Sequence, residues 1–472
     1  MNVEESPDFG NLPIVVWIRV FEYLSLKDRY SASLACSNIY NAFNHPTLWQ
    51  KVTLDVGGSS GKHRYFHCVK IPKRNFHLVR RFARMFHDLT FSICEPLHMS
   101  FGEWNTVLEE NIKDFKLGHL TLDVGGLRNK PNVSEMKIRT ENMKPMVDIV
   151  RNQSHLKTLV VNSWPVFANS LQNPDENIFQ AAIENNNIKG LRKLGLFKCN
   201  STAWSGRRPH LISSELTLKL VDHFKNLTHL ALRSPMITSD LISSLSLRGR
   251  DKLQQLHITI NFIPEDESFK MPTVNESVWK DFSNYNTNVK VKVLVLSRAP
   301  HYKLECFLRP SCPLYEIKFG EYIRSDKEFI TYLADSFNST LDTFEYNEED
   351  GDFERELVTL VENSDQLCRL KYCGKINCQN VIRLAKLRKK NWESFHLIRK
   401  NIYKKNVEKN PEMTIDSDQV IAKNKDGVYV LVDLVKFHEQ VSMLDYEEEE
   451  QIMIEKVSEY LGRDWFPDKF YQ

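Results

Sequence analysis

Four short segments, "LYEIKF" (314–319), "LDTFEY" (341–346), "LCRLKY" (367–372) and "WESFHL" (392–397), share one frame: apolar-x-x-apolar-x-apolar. Their last residues lie 27, 26 and 25 positions apart. Toward the N-terminus the frame recurs as "WQKVTL" (49–54), "FHDLTF" (86–91), "LGHLTL" (117–122), "LKTLVV" (156–161), "LRKLGL" (191–196), "LTHLAL" (227–232), "LQQLHI" (253–258) and "VKVLVL" (291–296). The fourth and sixth positions of the frame fall on the same face of a strand. Between the frames lie segments with apolar residues at i, i+3, i+4 and i+7, the helical spacing. These include 212–226, 325–338, 352–363 and 378–390, with Ser213, Ser325 and Asp352 as candidate N-caps.

Strand, turn and helix at a period near 25 residues is the pattern of an α/β solenoid, with parallel strands on the concave side and helices on the convex side. The unit closely resembles the leucine-rich repeats of F-box proteins and ribonuclease-inhibitor-like proteins. It departs from a regular array in three ways. The Asn or Cys that usually follows the strand is mostly absent, the early units are long, and residues 262–288 form a polar insertion. That insertion reads as a loop followed by a helix around Trp279 and Phe282. The frame stops at Leu397. In the remainder, "GVYVLVDLVKF" fits a strand or a buried helix, and 445–461 reads as a helix with an acidic first turn, which suits the helix dipole. A solenoid needs its last unit covered, so 398–472 is assigned to a C-terminal cap.

Before the first frame stands "NLPIVVWIRVFEYLSL" (11–26), an apolar helix that lies too near the N-terminus to be buried by chain on both sides. Residues 11–50 closely resemble an F-box. The matching positions are Leu12-Pro13, Val16, Val20-Phe21, Tyr23-Leu24, Asp28-Arg29, Ala32, Leu34, Cys36 and Leu48-Trp49. Ile39, with Tyr40 beside it, stands where the family places a bulky aromatic. The resemblance implies a three-helix unit that buries its apolar coat against a Skp-family adaptor. On this reading Leu12, Pro13, Val16, Trp17, Val20, Phe21, Leu24, Asp28, Arg29, Ala32, Leu34, Cys36 and Trp49 form the adaptor-binding set. The plainer alternative is that these helices only cap the first repeat. The domain order expected is therefore a disordered 1–10, an F-box at 11–50, a solenoid of about 12 irregular units at 51–397, and the cap.

No residue pattern in the sequence marks a reacting group. "VTLDVGGSSGKH" (52–63) suggests a phosphate loop, but Val56 and His63 occupy positions where that loop needs Gly and Ser or Thr. His63, His67 and Cys68 have no second pair at zinc spacing. No metal, cofactor or catalytic residue is expected. A cation cluster at 383–405, from Arg383 to Lys405, is interleaved with Trp392, Phe395 and Tyr403 and reads as a solvated face or a contact for an acidic protein.

The whole chain carries a formal net charge of only +2 over 472 residues, so nucleic acid is not the expected partner. No apolar run is long enough to span a membrane, and the N-terminus has no basic n-region of a secretory signal. Nine cysteines without a CxxC read as reduced thiols. The cytoplasm or nucleus is the expected location.

The family resemblance implies a substrate receptor of a Skp–cullin–F-box ubiquitin ligase. The adaptor would link it to a cullin and a RING protein, and the repeats would bind a protein substrate. Non-catalytic scaffolding or inhibition outside a ligase is the alternative. Substrate contact is expected at His257, Lys318, Glu345, Asn347, Lys371 and His396 on the sheet face. The insertion at 262–288 and the C-terminal cap are the competing locations.

Overall fold

The computed structural model describes residues 12–56, 73–93, 102–124, 133–162, 164, 177–197, 212–250, 252–261, 271–320, 323, 325–349, 351–388, 391–403, 415–416, 419–423, 429–433 and 446–467. The glycine-rich loop with His63, His67 and Cys68, the first third of the insertion (262–270), Lys389, Lys390, Lys404 and Lys405 lie outside the described residues. Two compact units divide the chain, one built on the N-terminal strands and one on the C-terminal strands.

The first unit begins with α1 (Ile14–Tyr23), α2 (Leu26–Ser33) and α3 (Ser37–Phe43). A 3-10 turn at Pro46–Trp49 leads into β1 (Lys51–Val56). There follow α4 (Lys73–Phe82), β2 (Asp88–Ile93), α5 (Gly102–Asn111), β3 (His119–Val124), α6 (Val133–Asn152), β4 (Thr158–Val161), α7 (Ile178–Glu184), β5 (Lys193–Gly195), α8 (Ser214–His223) and β6 (His229–Arg233). The strands are parallel and adjacent in chain order. Their register sets Val52, Leu89, Leu120, Leu159, Leu194 and Leu230 in one row. All six are buried, and each is the fourth position of its frame.

The second unit contains α9 (Ser239–Leu245), β7 (Gln255–Ile260), α10 (Glu276–Tyr285), β8 (Lys290–Val295), α11 (His301–Phe307), β9 (Leu314–Phe319), α12 (Lys327–Ser336), β10 (Thr343–Tyr346), α13 (Glu354–Asn363), β11 (Arg369–Tyr372), β12 (Ile376–Asn377), α14 (Cys378–Leu387), β13 (Ser394–Leu397) and β14 (Ile402–Tyr403). The main strands are again parallel in the order β7-β8-β9-β10-β11-β13, and β12 pairs with β14 apart from them. One core row reads Ile258, Val293, Ile317, Phe344, Leu370, Phe395, and the next reads Ile260, Val295, Phe319, Tyr346, Tyr372, Leu397. In the second row the rings of Phe319, Tyr346 and Tyr372 follow one another at 5.5 and 5.8 Å. The chain then forms the antiparallel sheet β15 (Ile415–Asp416), β16 (Gln419–Lys423) and β17 (Tyr429–Asp433), so the described part of "GVYVLVDLVKF" is a strand. Helix α15 (Tyr446–Leu461) packs on α14. Just beyond it, the Trp465 indole N–H donates to the Phe395 carbonyl at 2.9 Å and Arg463 donates to the carbonyl of Trp392 at 2.9 Å.

The architecture is a three-helix module followed by a leucine-rich-repeat array of parallel strands with intervening helices. Two local expectations are corrected, the phase of one frame and two helix caps. The frame "VKVLVL" is one residue out of step: Val293 and Val295, not Leu294 and Leu296, pair with Ile317 and Phe319. Apolar residues of both parities crowd 289–296, and a bulge between Val291 and Lys292 sets the phase. Because a one-residue slip reverses the faces of a strand, Val295 is buried rather than outward. Of the cap candidates, Ser213 accepts from the Leu216 N–H at 3.2 Å as expected, but α12 and α13 begin one residue late, on Asp326 and Phe353. The insertion supplies α10, with Trp279 and Phe282 buried in it.

No described helix is long and apolar enough to cross a membrane. The six described cysteines, Cys36, Cys306, Cys312, Cys368, Cys373 and Cys378, are free thiols, and no described group of His, Cys, Asp and Glu could hold a metal.

Candidate functional site

Helix α1 has two apolar sides. Ile18 and Phe21 point into the module and are buried, with Phe21 edge-on to Phe43 at 6.1 Å. On the opposite side Val16, Val20 and Tyr23 fall at i, i+4 and i+7 and stay exposed, Tyr23 at 89%. Val15 (68%) and Leu34 (71%), the latter at the end of α2, add to the exposed apolar surface. Large apolar side chains left in water in this number mark an interaction surface.

The expected adaptor set divides by position. Pro13, Val16, Val20, Asp28 and Leu34 are exposed; Leu12, Trp17, Leu24, Arg29, Ala32 and Cys36 are half-buried. Phe21 and Trp49 are fully buried and present no surface to a partner. Trp49 stacks on Phe82 of the first repeat at 4.3 Å and 9°, meets Phe43 edge-on at 5.0 Å, and donates its indole N–H to the Phe43 carbonyl at 2.7 Å. Its apolar rings belong in the only dry place nearby, between module and repeat.

Arg29 is likewise inward-looking. It donates to the main-chain carbonyls of Leu24 at 3.0 Å and of Glu22 and Leu48 at 3.4 Å, thereby holding the end of α1, whose carbonyls need donors. Burial pushes its pKa below the ordinary value, with Glu22 opposing. Asp28 closes the first turn of α2: the Ser25 hydroxyl donates to its carboxylate at 2.6 Å and accepts from its N–H at 3.3 Å. Pro13 is the N-cap of α1 rather than a residue of its first turn, and Asn38 donates to the Leu12 carbonyl at 2.6 Å to fix that start. Ile39, the family departure, fills the core and leaves Tyr40 outside, where its hydroxyl accepts from Arg81 at 2.5 Å.

Val15 and Tyr23 are exposed apolar residues that the expected adaptor set leaves out, although Tyr23 matches the motif. For Tyr23 the signal is the helical phase: it stands away from Ile18 and Phe21, yet it carries an apolar ring.

A second candidate lies on the outward face of the second unit's sheet. The register aligns Lys318, Glu345, Lys371 and His396 in one row and Glu316, Thr343, Arg369 and Ser394 in the row before it. Glu345, Arg369, Lys371, Ser394 and His396 line a depression of about 340 Å³. Four of the six residues expected to touch substrate thus share one row or its rim. His257 stands in the adjacent row beside Lys292 and contacts Gln255 at 3.1 Å. Asn347 donates its amide to the Phe319 carbonyl at 2.7 Å, tying the ends of neighbouring strands.

Most charges here are paired. Lys318 reaches Glu345 at 2.7 Å and Glu316 at 3.5 Å, and Lys292 also reaches Glu316 at 3.5 Å. Burial works against the charged form of Lys318, but the bond to Glu345 and the field of both carboxylates outweigh it and hold its pKa above the ordinary value. Arg369 is gripped by Asp342 and Glu393 and donates to the Tyr315 hydroxyl at 3.1 Å. Burial pushes the Cys368 thiol up to about 12, helped by its bond to Asp342, so it is no nucleophile. The described members of the basic cluster are largely committed too. Arg383 pairs with Glu362, Arg399 with Glu450 and Lys400 with Glu349. Trp392 and Phe395 are core, as their frame requires.

Comparison with known proteins bears on both sites. Residues 9–55 match the F-box-like family model, so the three helices with the two-sided α1 are an F-box. Over 323 residues, 68% of this chain, the sequence is 23% identical to F-box/LRR-repeat protein 21 of Bos taurus. The proteins of that name from Ovis aries and Mus musculus align at 23% identity over 67% of the chain. The chain thus carries an F-box ahead of a leucine-rich-repeat array, the two features that the names of these relatives combine. The aligned stretch spans 66% of the length of each of these relatives, just under two thirds. Within the F-box, then, the inner face of α1 joins the repeat array through Phe21, Phe43 and Trp49, while the outer face stays uncovered.

Proposed function

We propose that this chain is the substrate-recognition subunit of a Skp–cullin–F-box ubiquitin ligase. Its F-box docks a Skp-family adaptor, the adaptor joins it to a cullin and a RING protein, and the repeats hold a protein substrate. The observation that carries this reading is the outer stripe Val16–Val20–Tyr23 with Leu34, apolar side chains on an F-box that the rest of the first unit does not cover. Fully burying a side chain of this size contributes about 1.5–3 kcal/mol, scaled down here because Val16 and Val20 are only partly exposed. Several together offset the cost of association. The chain acts without a reacting group of its own: holding the substrate beside a charged conjugating enzyme raises the effective concentration of its lysines. Such a subunit works in the cytoplasm, the nucleus or both.

One observation favours a second reading, a scaffold whose helices only seal the first repeat: Trp49 is stacked on Phe82. A retention assay separates them. Full-length chain on resin is expected to hold a purified Skp adaptor and, from lysate, to recover cullin with it. Val20→Asp and Leu34→Asp should weaken adaptor retention at least about tenfold without lowering the melting temperature. Wild-type chain that never retains the adaptor rejects the ligase reading and leaves the scaffold.

A further inference from the structure

The depression on the sheet face is unusual in what it leaves over. Lys292 and Lys318 are matched by Glu316 and Glu345, and Arg369 already serves Asp342 and Glu393. Lys371, half-buried on β11 between Glu345 and His396 in the register, has no ion-pair or hydrogen-bond partner among the described residues. We propose that Lys371 is the recognition point for a single carboxylate, an Asp or Glu side chain of a protein substrate laid across β10, β11 and β13. The proposal rests on the substrate-receptor reading and names the class of residue that reading requires.

Three features choose this occupant. Lys292, Lys318, Arg369 and Lys371 balance Glu316, Asp342, Glu345 and Glu393, so the face has no net field to gather a polyanion. A nucleic acid or a run of phosphates would find one open cation. A phosphate group favours arginine forks, and the guanidinium here is already committed to two carboxylates. The volume of about 340 Å³ is at the small end for ligand sites, which suits one side chain with its flanking backbone. On the neighbouring strand His396, level with Lys371, and Ser394, one row before it, supply polar rims. The Lys318–Glu345 pair fixes the opposite wall, so a carboxylate cannot enter there without displacing Glu345.

The test uses full-length chain purified with its Skp adaptor and four pools of nine-residue peptides. The pools have degenerate flanks and a fixed central Glu, Gln, phosphoserine or Lys. The Glu pool should bind about tenfold better than the Gln pool, the value of one charge-assisted hydrogen bond. Lys371→Gln should erase that preference, Lys371→Arg should keep it, and Lys371→Glu should turn it toward the Lys pool. These reciprocal outcomes cannot come from misfolding. Equal binding of Glu and Gln pools, a preference that survives Lys371→Gln, stronger binding of phosphoserine, or no binding by any pool would overturn the proposal. Adaptor retention, scored in the same samples, reports separately on the ligase reading. A Glu preference without adaptor, or adaptor without the preference, shows which of the two has failed.

Discussion

Replacing Trp49 by phenylalanine distinguishes a core residue from an adaptor contact. The indole is fully buried, its ring lies 4.3 Å from Phe82, and its N–H reaches the Phe43 carbonyl at 2.7 Å. Phenylalanine keeps a ring for Phe82 but removes the donor and leaves unfilled volume. Loss of the hydrogen bond costs about 0.5–1.5 kcal/mol, and the smaller ring adds roughly 1 kcal/mol of transfer and cavity energy. At about 2–4 °C per kcal/mol for a unit of this size, Trp49→Phe should lower the melt of the first unit by about 3–10 °C. Trp49→Ala, at about 3–5 kcal/mol, should lower it further. Adaptor affinity, measured by calorimetry at a temperature where both proteins are folded, should stay within about twofold of wild type for the Phe variant. The opposite result, weaker adaptor binding with an unchanged melt, would mean that the ring reaches the partner and that the burial argument is wrong.

Two further expectations concern the second unit. Trp465→Ala removes a side chain that is nearly buried and bonded to the last strand, so α15 and β13 should lose hydrogen-exchange protection before β7–β10 do. Unchanged protection in α15 would show that Trp465 does not hold the helix in place. Lys318 has its pKa raised in the fold, so its contribution to stability is complete below the unfolded value of about 10.4 and fades as pH rises through the higher folded value. Denaturation midpoints at about pH 9 and pH 11.5 should therefore fall further apart in wild type than in Lys318→Met. Equal differences would show that the pairs with Glu345 and Glu316 do not contribute.

The repeat array was legible because its signal is carried by rows. Each frame other than "VKVLVL" places its first, fourth and sixth residues in the core, and parallel pairing at near-constant spacing stacks them. At 289–296 the local pattern allowed two phases, and only the neighbouring strands choose between them. The same limit hid the hydrogen bond of Asn347, whose partner is a carbonyl 28 residues back. It also hid which cations on the sheet face are spent, since Arg369 meets Tyr315 at a separation of 54 residues. In the F-box the motif identified the module but not its faces. Phe21 and Trp49 satisfy the same pattern as Val16 and Val20, and only the helical phase and the position of Phe82 separate core from surface.

That shared core bears on how the first unit could work. Phe43 and Trp49 come from the F-box, Phe82 from α4 of the first repeat, and their rings close on one another at 4.3–5.7 Å. Arg81 of α4 adds bonds to the Tyr40 hydroxyl and to the Asn44 side chain at 2.7 Å. A flexible linker between adaptor-binding and repeat elements would spread a bound partner over many orientations and dilute it. An aromatic joint holds the F-box in one orientation on β1 and β2, because packed rings have few alternative arrangements of equal energy. The inner face of α1 therefore does more than stabilise a small helical module. It sets the angle at which the outer face, and whatever docks there, is carried by the first repeats.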